Sequence, residues 1–143
     1  MHVLKSKSEN QTLKIAADFA RTLQGGEVVL LSGDLGAGKS VFTRGVAGAL
    51  GVTSRMTSPT FVLFKVYDTH HDKVKFLVHV DAYRVENDDL MQAGLADYMG
   101  RPDTVVMIEW GEKLKKLLSE TKLRCKIVHI CHKSNAIREI NLK

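Results

Sequence analysis

The residues whose types and spacing are best suited to chemistry lie between Gly33 and Ser40, which read GDLGAGKS. They match the pattern G-x-x-x-x-G-K-[ST] at every required position. In that pattern the glycines let backbone amides approach phosphate oxygens, the lysine reaches the outer phosphates, and the hydroxyl binds a magnesium ion. We therefore predict that this phosphate loop binds a nucleoside triphosphate; the alternative is a glycine-rich capping turn without a ligand. The residues of the predicted loop are Gly33, Asp34, Leu35, Gly36, Ala37, Gly38, Lys39 and Ser40.

The segments on either side of the loop favour phosphate binding. Glu27–Ser32 reads EVVLLS, which has the length and composition of a buried parallel strand. Ser40–Leu50 reads SVFTRGVAGAL, and its apolar residues fall mostly on one helical face. A loop between a strand and a helix presents the helix N-terminus to the ligand, and the partial positive charge there attracts anions.

Two acidic residues at strand ends are candidates for completing a site that hydrolyses the nucleotide. Glu109 follows the apolar run VVMI, at the strand end where phosphate-loop proteins carry a metal-holding acid. We predict that Ser40 and Glu109 hold magnesium; the alternative for Glu109 is capping of the next helix. In HVDAYR, the alternation of an extended segment puts His79, Asp81 and Tyr83 on one face. Asp81 is predicted to orient water or to ligate magnesium, with a solvated turn aspartate as the alternative.

Several further residues are candidates with ordinary alternatives. Thr60 follows the stiff Pro59 in SPTF and could sense the terminal phosphate, although a plain turn into a strand would use the same residues. Trp110, the single tryptophan, either packs in the core or walls the site. Arg44 and Arg84 could neutralise transition-state charge, a role that surface arginines rarely have. The chain has no N-K-x-D segment of the kind that guanine-selective proteins carry, so we expect ATP.

The order of the elements predicts an α/β protein. A capping box at Ser8 and Gln11 begins an apolar helical stripe that ends near Gly25. Phe61–Asp68 and Lys73–Tyr83 are β-rich runs joined by a short polar connection, which predicts an antiparallel hairpin.

The second half of the chain continues this alternation. Asn87–Tyr98 predicts one or two short helices, Asp103–Trp110 a buried strand, and Glu112–Ser119 a lysine-rich helix. Residues 122–131 and 136–143 are predicted to form two closing strands. No repeat or linker divides the sequence, so residues 1–143 are expected to form a single domain. We predict a three-layer P-loop NTPase-like α/β domain with a mixed central sheet that includes the antiparallel hairpin.

Composition and charge narrow the class of protein. No apolar run approaches the roughly 18 residues of a membrane span, and the first residues lack the apolar core of a secretion signal, so we expect a cytoplasmic protein without a membrane partner. Cys125 and Cys131 fit neither a redox pair nor a zinc knuckle and are expected to be free thiols.

The charge is unevenly distributed along the chain. Residues 1–110 contain 12 Lys and Arg against 13 Asp and Glu, whereas residues 111–143 contain 9 against 3. This basic C-terminal stretch is a patch for nucleic acid or an acidic partner, or else a solvated lysine-rich face.

With these residues in this order, the chain resembles the TsaE (also YjeE) family, the small bacterial ATPases of tRNA threonylcarbamoyladenosine biosynthesis. The resemblance covers almost the whole chain and rests on several motifs in order. They are GDLGAGKS followed by FTRG, SPTF with Tyr67 six residues after Phe61, HVDAYR, the spacing of Leu90, Gly94 and Tyr98, and IEWGE at Ile108–Glu112. The chain departs from the family pattern at Ser40, where Thr is usual, and at Ala82, where Leu is usual. Ser40 keeps the hydroxyl that binds magnesium.

The resemblance implies a magnesium-dependent ATPase, slow alone, that acts with the TsaB and TsaD proteins. Their complex transfers a threonylcarbamoyl group to the adenosine beside the tRNA anticodon, and ATP hydrolysis would remodel or reset that complex. Contact with tRNA would be indirect or through the basic C-terminal stretch. By motif, Leu35–Ser40 would cradle phosphates, Ser40 and Glu109 would hold magnesium, and Asp81 would serve hydrolysis. The residues that the resemblance places near the nucleotide outside the loop are Glu9, Thr12 and Arg138.

Two other functions would use the same loop. A small-molecule kinase is disfavoured because the sequence has no arginine-rich lid segment and little chain left for an acceptor pocket. A non-catalytic binding module would change partners with the bound nucleotide and use the basic C-terminal stretch to contact RNA or protein.

Overall fold

A seven-stranded mixed sheet forms the centre of the protein. The computed structural model describes residues 2–34, 36–57, 59, 62–83, 89, 92–110, 114, 118–119, 121–134 and 137–143. In chain order the elements are β1 (His2–Ser6), α1 (Glu9–Ala20), β2 (Glu27–Ser32), α2 (Lys39–Ala49), β3 (Phe64–Asp68), β4 (Phe76–Asp81), a 3-10 helix (Leu95–Asp97), β5 (Thr104–Glu109), β6 (Arg124–Ser134) and β7 (Ile137–Leu142). The strands lie in the order β1-β7-β6-β2-β5-β4-β3.

The four central strands are parallel, and their C-terminal ends meet at one edge. Strand β2 pairs with β5 on one side and β6 on the other, and β4 pairs with β5. The apolar runs of β2 and β5 are buried from both faces, as a central parallel strand requires. The loop that follows β2 and the acids that end β4 and β5 therefore lie at the same edge.

Helices α1 and α2 cover one face of the sheet. Ser8 caps α1 by accepting a hydrogen bond from the backbone amide of Gln11, and the Gln11 side chain in turn accepts from the amide of Lys7. The two helices pack through Ala16, Phe19 and Phe42, with the phenylalanine ring centroids 5.5 Å apart. The predicted first helix and the helix after the loop are confirmed.

The opposite face carries a second apolar cluster. Leu95 of the 3-10 helix packs there with Leu114 and Leu118 against β2, β4 and β5. The prediction of a layered α/β domain with a mixed sheet and an antiparallel hairpin is therefore confirmed. Most of the helix predicted at Glu112–Ser119 lies outside the described residues, as does much of Asn87–Tyr98.

Both hairpin strands are shorter than the sequence predicts, and at β4 side chains bind the backbone groups at either end. The Nδ1 atom of His71 accepts hydrogen bonds from the amides of Lys73 and Val74, so β4 begins only at Phe76. At the other end of β4, Asp81 accepts from the amide of Tyr83, which turns the chain away from the sheet.

The outer strands on the other side of the sheet extend beyond the prediction. The two closing strands are confirmed, and β6 continues to Ser134, with an irregular register between His132 and Ser134. Strand β1 was not predicted, since its residues become a strand only by antiparallel pairing with β7.

Cys125 and Cys131 are free, as expected. Within the described part of the chain, no helix is long and apolar enough to cross a bilayer.

Candidate functional site

The phosphate loop leads from β2 directly into α2 with its glycines in conformations that other residues rarely adopt. Gly36 and Gly38 have φ angles of +77° and +111°, and Gly38 is the N-cap of α2. A Cβ added at either position would meet no atom of the described residues within 4 Å. The backbone at both glycines is therefore open where a side chain would otherwise stand, and both residues line the cleft described below. Leu35, predicted to belong to this cradle, lies outside the described residues.

Lys39 begins α2 and points its ammonium group back along the loop. Its Nζ donates hydrogen bonds to the carbonyl oxygens of Gly33 and Asp34, the latter at 3.0 Å. The same atom lies 4.0 Å from the centre of the Trp110 ring. Only 7% of Lys39 is exposed. The ammonium group thus lies at the loop, where phosphate oxygens would compete with the two carbonyl oxygens for its N–H hydrogen bonds.

The two strand-end acids come together beside the loop. Asp81 and Glu109 are direct partners in the register of β4 and β5, so both carboxylates lie at the edge that carries the loop. Glu109 is 6% exposed, and its Oε1 atom is buried without a hydrogen-bond partner among the described residues. Asp81 is half-buried, and its Oδ1 accepts from the Tyr83 amide at 3.0 Å. An orphaned, buried carboxylate oxygen is a group that a cation would satisfy.

A cleft of about 340 Å³ unites the loop with these acids. The residues that line it are Gly36, Gly38, Lys39, Ser40, Val41, Asp81, Glu109 and Trp110. Its walls supply bare backbone and an ammonium group for phosphates, with hydroxyl and carboxylate oxygens for magnesium. This donor set fits a magnesium nucleotide. No three His, Cys, Asp or Glu residues cluster for a metal in the described ranges, so phosphate and water would supply the remaining magnesium ligands.

Trp110 walls the cleft, which was one of the two roles expected for it. Its ring centroid lies 4.8 Å from that of Tyr83, with 41° between the planes. Its backbone has φ +60°, a conformation that costs a bulky residue energy and is concentrated at functional sites. No pattern in the sequence indicated this strain.

Arg138 on β7 contacts the loop from the far end of the chain. Its Nε donates to the carbonyl oxygen of Ala37 at 3.0 Å, and its Nη2 donates to that of Gly36 at 3.3 Å. The guanidinium group therefore holds two successive carbonyls of the loop, while the amide between them, that of Ala37, donates to the carbonyl oxygen of Asp34. The structure places Arg138 at the loop, and its proximity to a bound nucleotide stays a prediction.

Glu9 and Thr12 have their contacts elsewhere, and neither lines the cleft. Glu9 pairs with Arg44 of α2 at 2.7 Å, and both side chains are more than half exposed. Thr12 is 3% exposed, and its hydroxyl lies 2.7 Å from that of Ser6. Thr60 and Arg84, the other predicted candidates, lie outside the described residues.

No function was predicted for His79 from the sequence, although it lies beside the site. It interrupts the apolar run of β4 and is 6% exposed. Its Nε2 lies 3.7 Å from Oε2 of Glu109. The signal available in the sequence was a polar residue at a buried position, two residues before Asp81 on the same face.

Much of the described charge of the basic C-terminal stretch is used within the protein. Arg124 donates to the carbonyl of Gly25, and Lys126 donates to the hydroxyl of Thr22 at 3.1 Å. Lys133 lies 4.0 Å from Glu139, and Arg138 holds the loop. These contacts join β6 to the segment before β2, β6 to β7, and β7 to the phosphate loop.

The chain is similar to known proteins over most of its length. The family model described as "Threonylcarbamoyl adenosine biosynthesis protein TsaE" matches residues 6–140. A protein of Streptomyces coelicolor named tRNA threonylcarbamoyladenosine biosynthesis protein TsaE is 43% identical over 111 residues, which are 76% of this chain and 73% of the relative. A protein of the same name from Aquifex aeolicus is 37% identical over 140 residues, covering 89% of this chain and 98% of the relative.

A solved structure agrees with the fold. The crystal structure of YdiB from Bacillus subtilis aligns with 99% of this chain and 83% of its own, with a TM-score of 0.72 and 30% sequence identity. Because the family model and this structure match nearly the whole chain and the relatives match three quarters of it or more, the protein belongs to the TsaE family of threonylcarbamoyl adenosine biosynthesis proteins.

Proposed function

We propose that this chain binds Mg-ATP in the cleft between the phosphate loop and the two strand-end acids, and that it hydrolyses the nucleotide in tRNA threonylcarbamoyladenosine biosynthesis. The observation that carries the proposal is the cleft itself. It joins the bare glycine backbone and Lys39 to Ser40, Asp81 and Glu109. Membership of the TsaE family supports the pathway.

The proposed mechanism is positioning and charge neutralisation. Backbone amides of the loop and the Lys39 ammonium group bind the phosphates, with Lys39 exchanging its carbonyl partners for phosphate oxygens. Ser40 and Glu109 would hold magnesium, which supplies positive charge to the outer phosphate oxygens. Asp81 lies beside Glu109 in the register and would orient the attacking water.

The role of hydrolysis would be conformational. Partners of the TsaB and TsaD type would contact the chain, and the change from ATP to ADP would reset their complex. Recovery of both proteins in an ATP-dependent pull-down supports this assignment. Their absence, with ATP binding intact, would remove the partners from the proposal but leave the site.

Equilibrium dialysis with labelled ATP tests the site. Lys39→Ala should abolish saturable binding, because it removes the cation that faces the phosphates. Glu109→Ala should keep ATP binding within a few fold but lower magnesium-dependent turnover about 100-fold or more. Lys14→Ala and Asp72→Ala are matched controls at exposed positions and should behave as the wild type. Unchanged turnover in Glu109→Ala would exclude that residue from the metal site.

The same labelled ATP separates the rival functions. An ATPase releases free phosphate, whereas a small-molecule kinase leaves the label on a metabolite. A non-catalytic module would bind its partner differently with ADP and with a non-hydrolysable ATP analogue, without turnover. Direct tRNA contact through the basic C-terminal stretch would appear as binding that weakens steeply with salt.

A further inference from the structure

His79 and Glu109 form a buried polar pair that neither apolar packing nor hydrogen bonding accounts for. Both residues are 6% exposed. The two ring nitrogens of His79 and the Oε1 atom of Glu109 have no hydrogen-bond partner among the described residues. The nearest approach of the pair is 3.7 Å, between Nε2 of His79 and Oε2 of Glu109. Burying a polar group without a hydrogen-bond partner destabilises a protein, so such a pair calls for an explanation.

One small movement would give a hydrogen bond between Nε2 of His79 and the Oε2 atom of Glu109. A neutral imidazole carries one N–H donor, and a carboxylate only accepts. A hydrogen bond between them needs the 3.7 Å separation to close to about 3 Å, which rotation of either side chain can provide. His79 and Glu109 lie on neighbouring parallel strands and on the face that carries α2 and the cleft. The strands hold both side chains in place for this contact.

We propose that His79 is a positioning residue, which orients the Glu109 carboxylate for a divalent cation by donating a hydrogen bond from Nε2 to Oε2. The bond fixes the rotation of the carboxylate and leaves its other oxygen for the cation. Partners of this kind behind metal ligands typically raise metal affinity 10- to 100-fold. This inference rests on the proposed function, because it assumes that the cleft takes a metal nucleotide.

The chain offers variants that separate positioning from packing. His79→Gln places an amide donor near the position of Nε2, whereas His79→Leu fills similar space without a donor. His79→Asn also carries an amide donor, but its side chain is too short to reach Glu109. Met107→Leu is the matched control, because Met107 is the register partner of His79, is also buried, and tolerates a swap that conserves volume.

Binding of Mn²⁺, followed by electron paramagnetic resonance with a non-hydrolysable ATP analogue present, measures the effect directly. His79→Leu and His79→Asn should lower the Mn²⁺ affinity about 10- to 100-fold, and His79→Gln should retain most of it. Analogue binding in EDTA should be the same in all variants, since His79 is not among the residues that line the cleft. Thermal unfolding identifies any variant that fails to fold; if His79→Leu does, the comparison of His79→Asn with His79→Gln replaces it.

Two results would overturn the inference. One is wild-type Mn²⁺ affinity in a folded His79→Leu or His79→Asn variant. The other is an equal loss in His79→Gln and His79→Asn, which would mean that His79 acts only through packing. Both differ from failure of the proposed function, in which the wild-type protein itself would bind neither the analogue nor the metal.

Discussion

Replacing Gly45 by alanine tests whether close packing of α1 on α2 holds the phosphate loop in place. A Cβ at Gly45 would lie 2.6 Å from the Cβ of Ala16 and 2.9 Å from the carbonyl oxygen of Leu13. Carbon atoms attract best at about 3.5–4.0 Å, so α1 would have to move away by roughly 1 Å. Overpacking of this kind costs about 1–3 kcal/mol of unfolding free energy.

Gly48 provides the matched control within the same helix. A Cβ there would meet nothing within 4 Å in the described part of the chain. Replacing a helical glycine by alanine stabilises a protein by roughly 0.5–1 kcal/mol, and this gain applies to both positions. The difference between the two variants therefore isolates the steric cost. We expect Gly45→Ala to be less stable than Gly48→Ala by about 1–3 kcal/mol.

Urea unfolding followed by far-ultraviolet circular dichroism measures this difference as a shift of the midpoint at a constant slope. Mg-ATP affinity should be unchanged in Gly48→Ala and weaker in Gly45→Ala, because α2 begins at Lys39 within the loop. Equal stability of the two variants would refute the reasoning. It would mean that the helices separate without losing contacts that matter.

Two further substitutions act on the loop itself. Gly36→Ala should cost about 1–2 kcal/mol of unfolding free energy, because its side chain would stand at φ +77°, and the variant should still fold. It should lose Mg-ATP binding in a calorimetric titration, because we expect the new methyl group to occupy the side that phosphate approaches. Unimpaired binding would show that this side is not the cradle. Arg138→Lys cannot hold both loop carbonyls, so Mg-ATP affinity should fall about tenfold, the equivalent of one hydrogen bond, while the circular dichroism spectrum is unchanged. A wild-type dissociation constant in this variant would argue against a role for Arg138 in shaping the loop.

The parts of the protein that the sequence predicts well are those coded by neighbouring residues. The apolar run of Glu27–Ser32, the glycine loop and the helical stripe after it each specify their own conformation. The end of an apolar run likewise marks Asp81 and Glu109 as strand-end acids, and parallel pairing then brings them together. Local pattern and topology agree here, so the outline of the site was predictable.

Features that depend on distant residues were harder to predict. The segment His2–Ser6 is a strand because β7 pairs with it, and its own composition does not reveal this. Strand β4 is shorter than predicted for a local reason that periodicity also cannot show, since His71 before it and Asp81 at its end bind backbone amides. The 3.7 Å approach of His79 to Glu109 depends on the register of two strands that are separated in sequence by the 3-10 helix.

Because Arg138 contacts the loop, the phosphate loop reaches its full set of contacts only after the end of the chain has been synthesised. Arg138 lies 101 residues after Ala37, on the last strand of the chain, which lies between β1 and β6 in the sheet. A nascent chain that has not yet released β7 from the ribosome therefore lacks the clamp on its loop. Conversely, a nucleotide that binds only the finished loop adds its binding free energy to the docking of that last strand. Nucleotide should thus slow hydrogen exchange at β7, far along the chain from the glycines it touches.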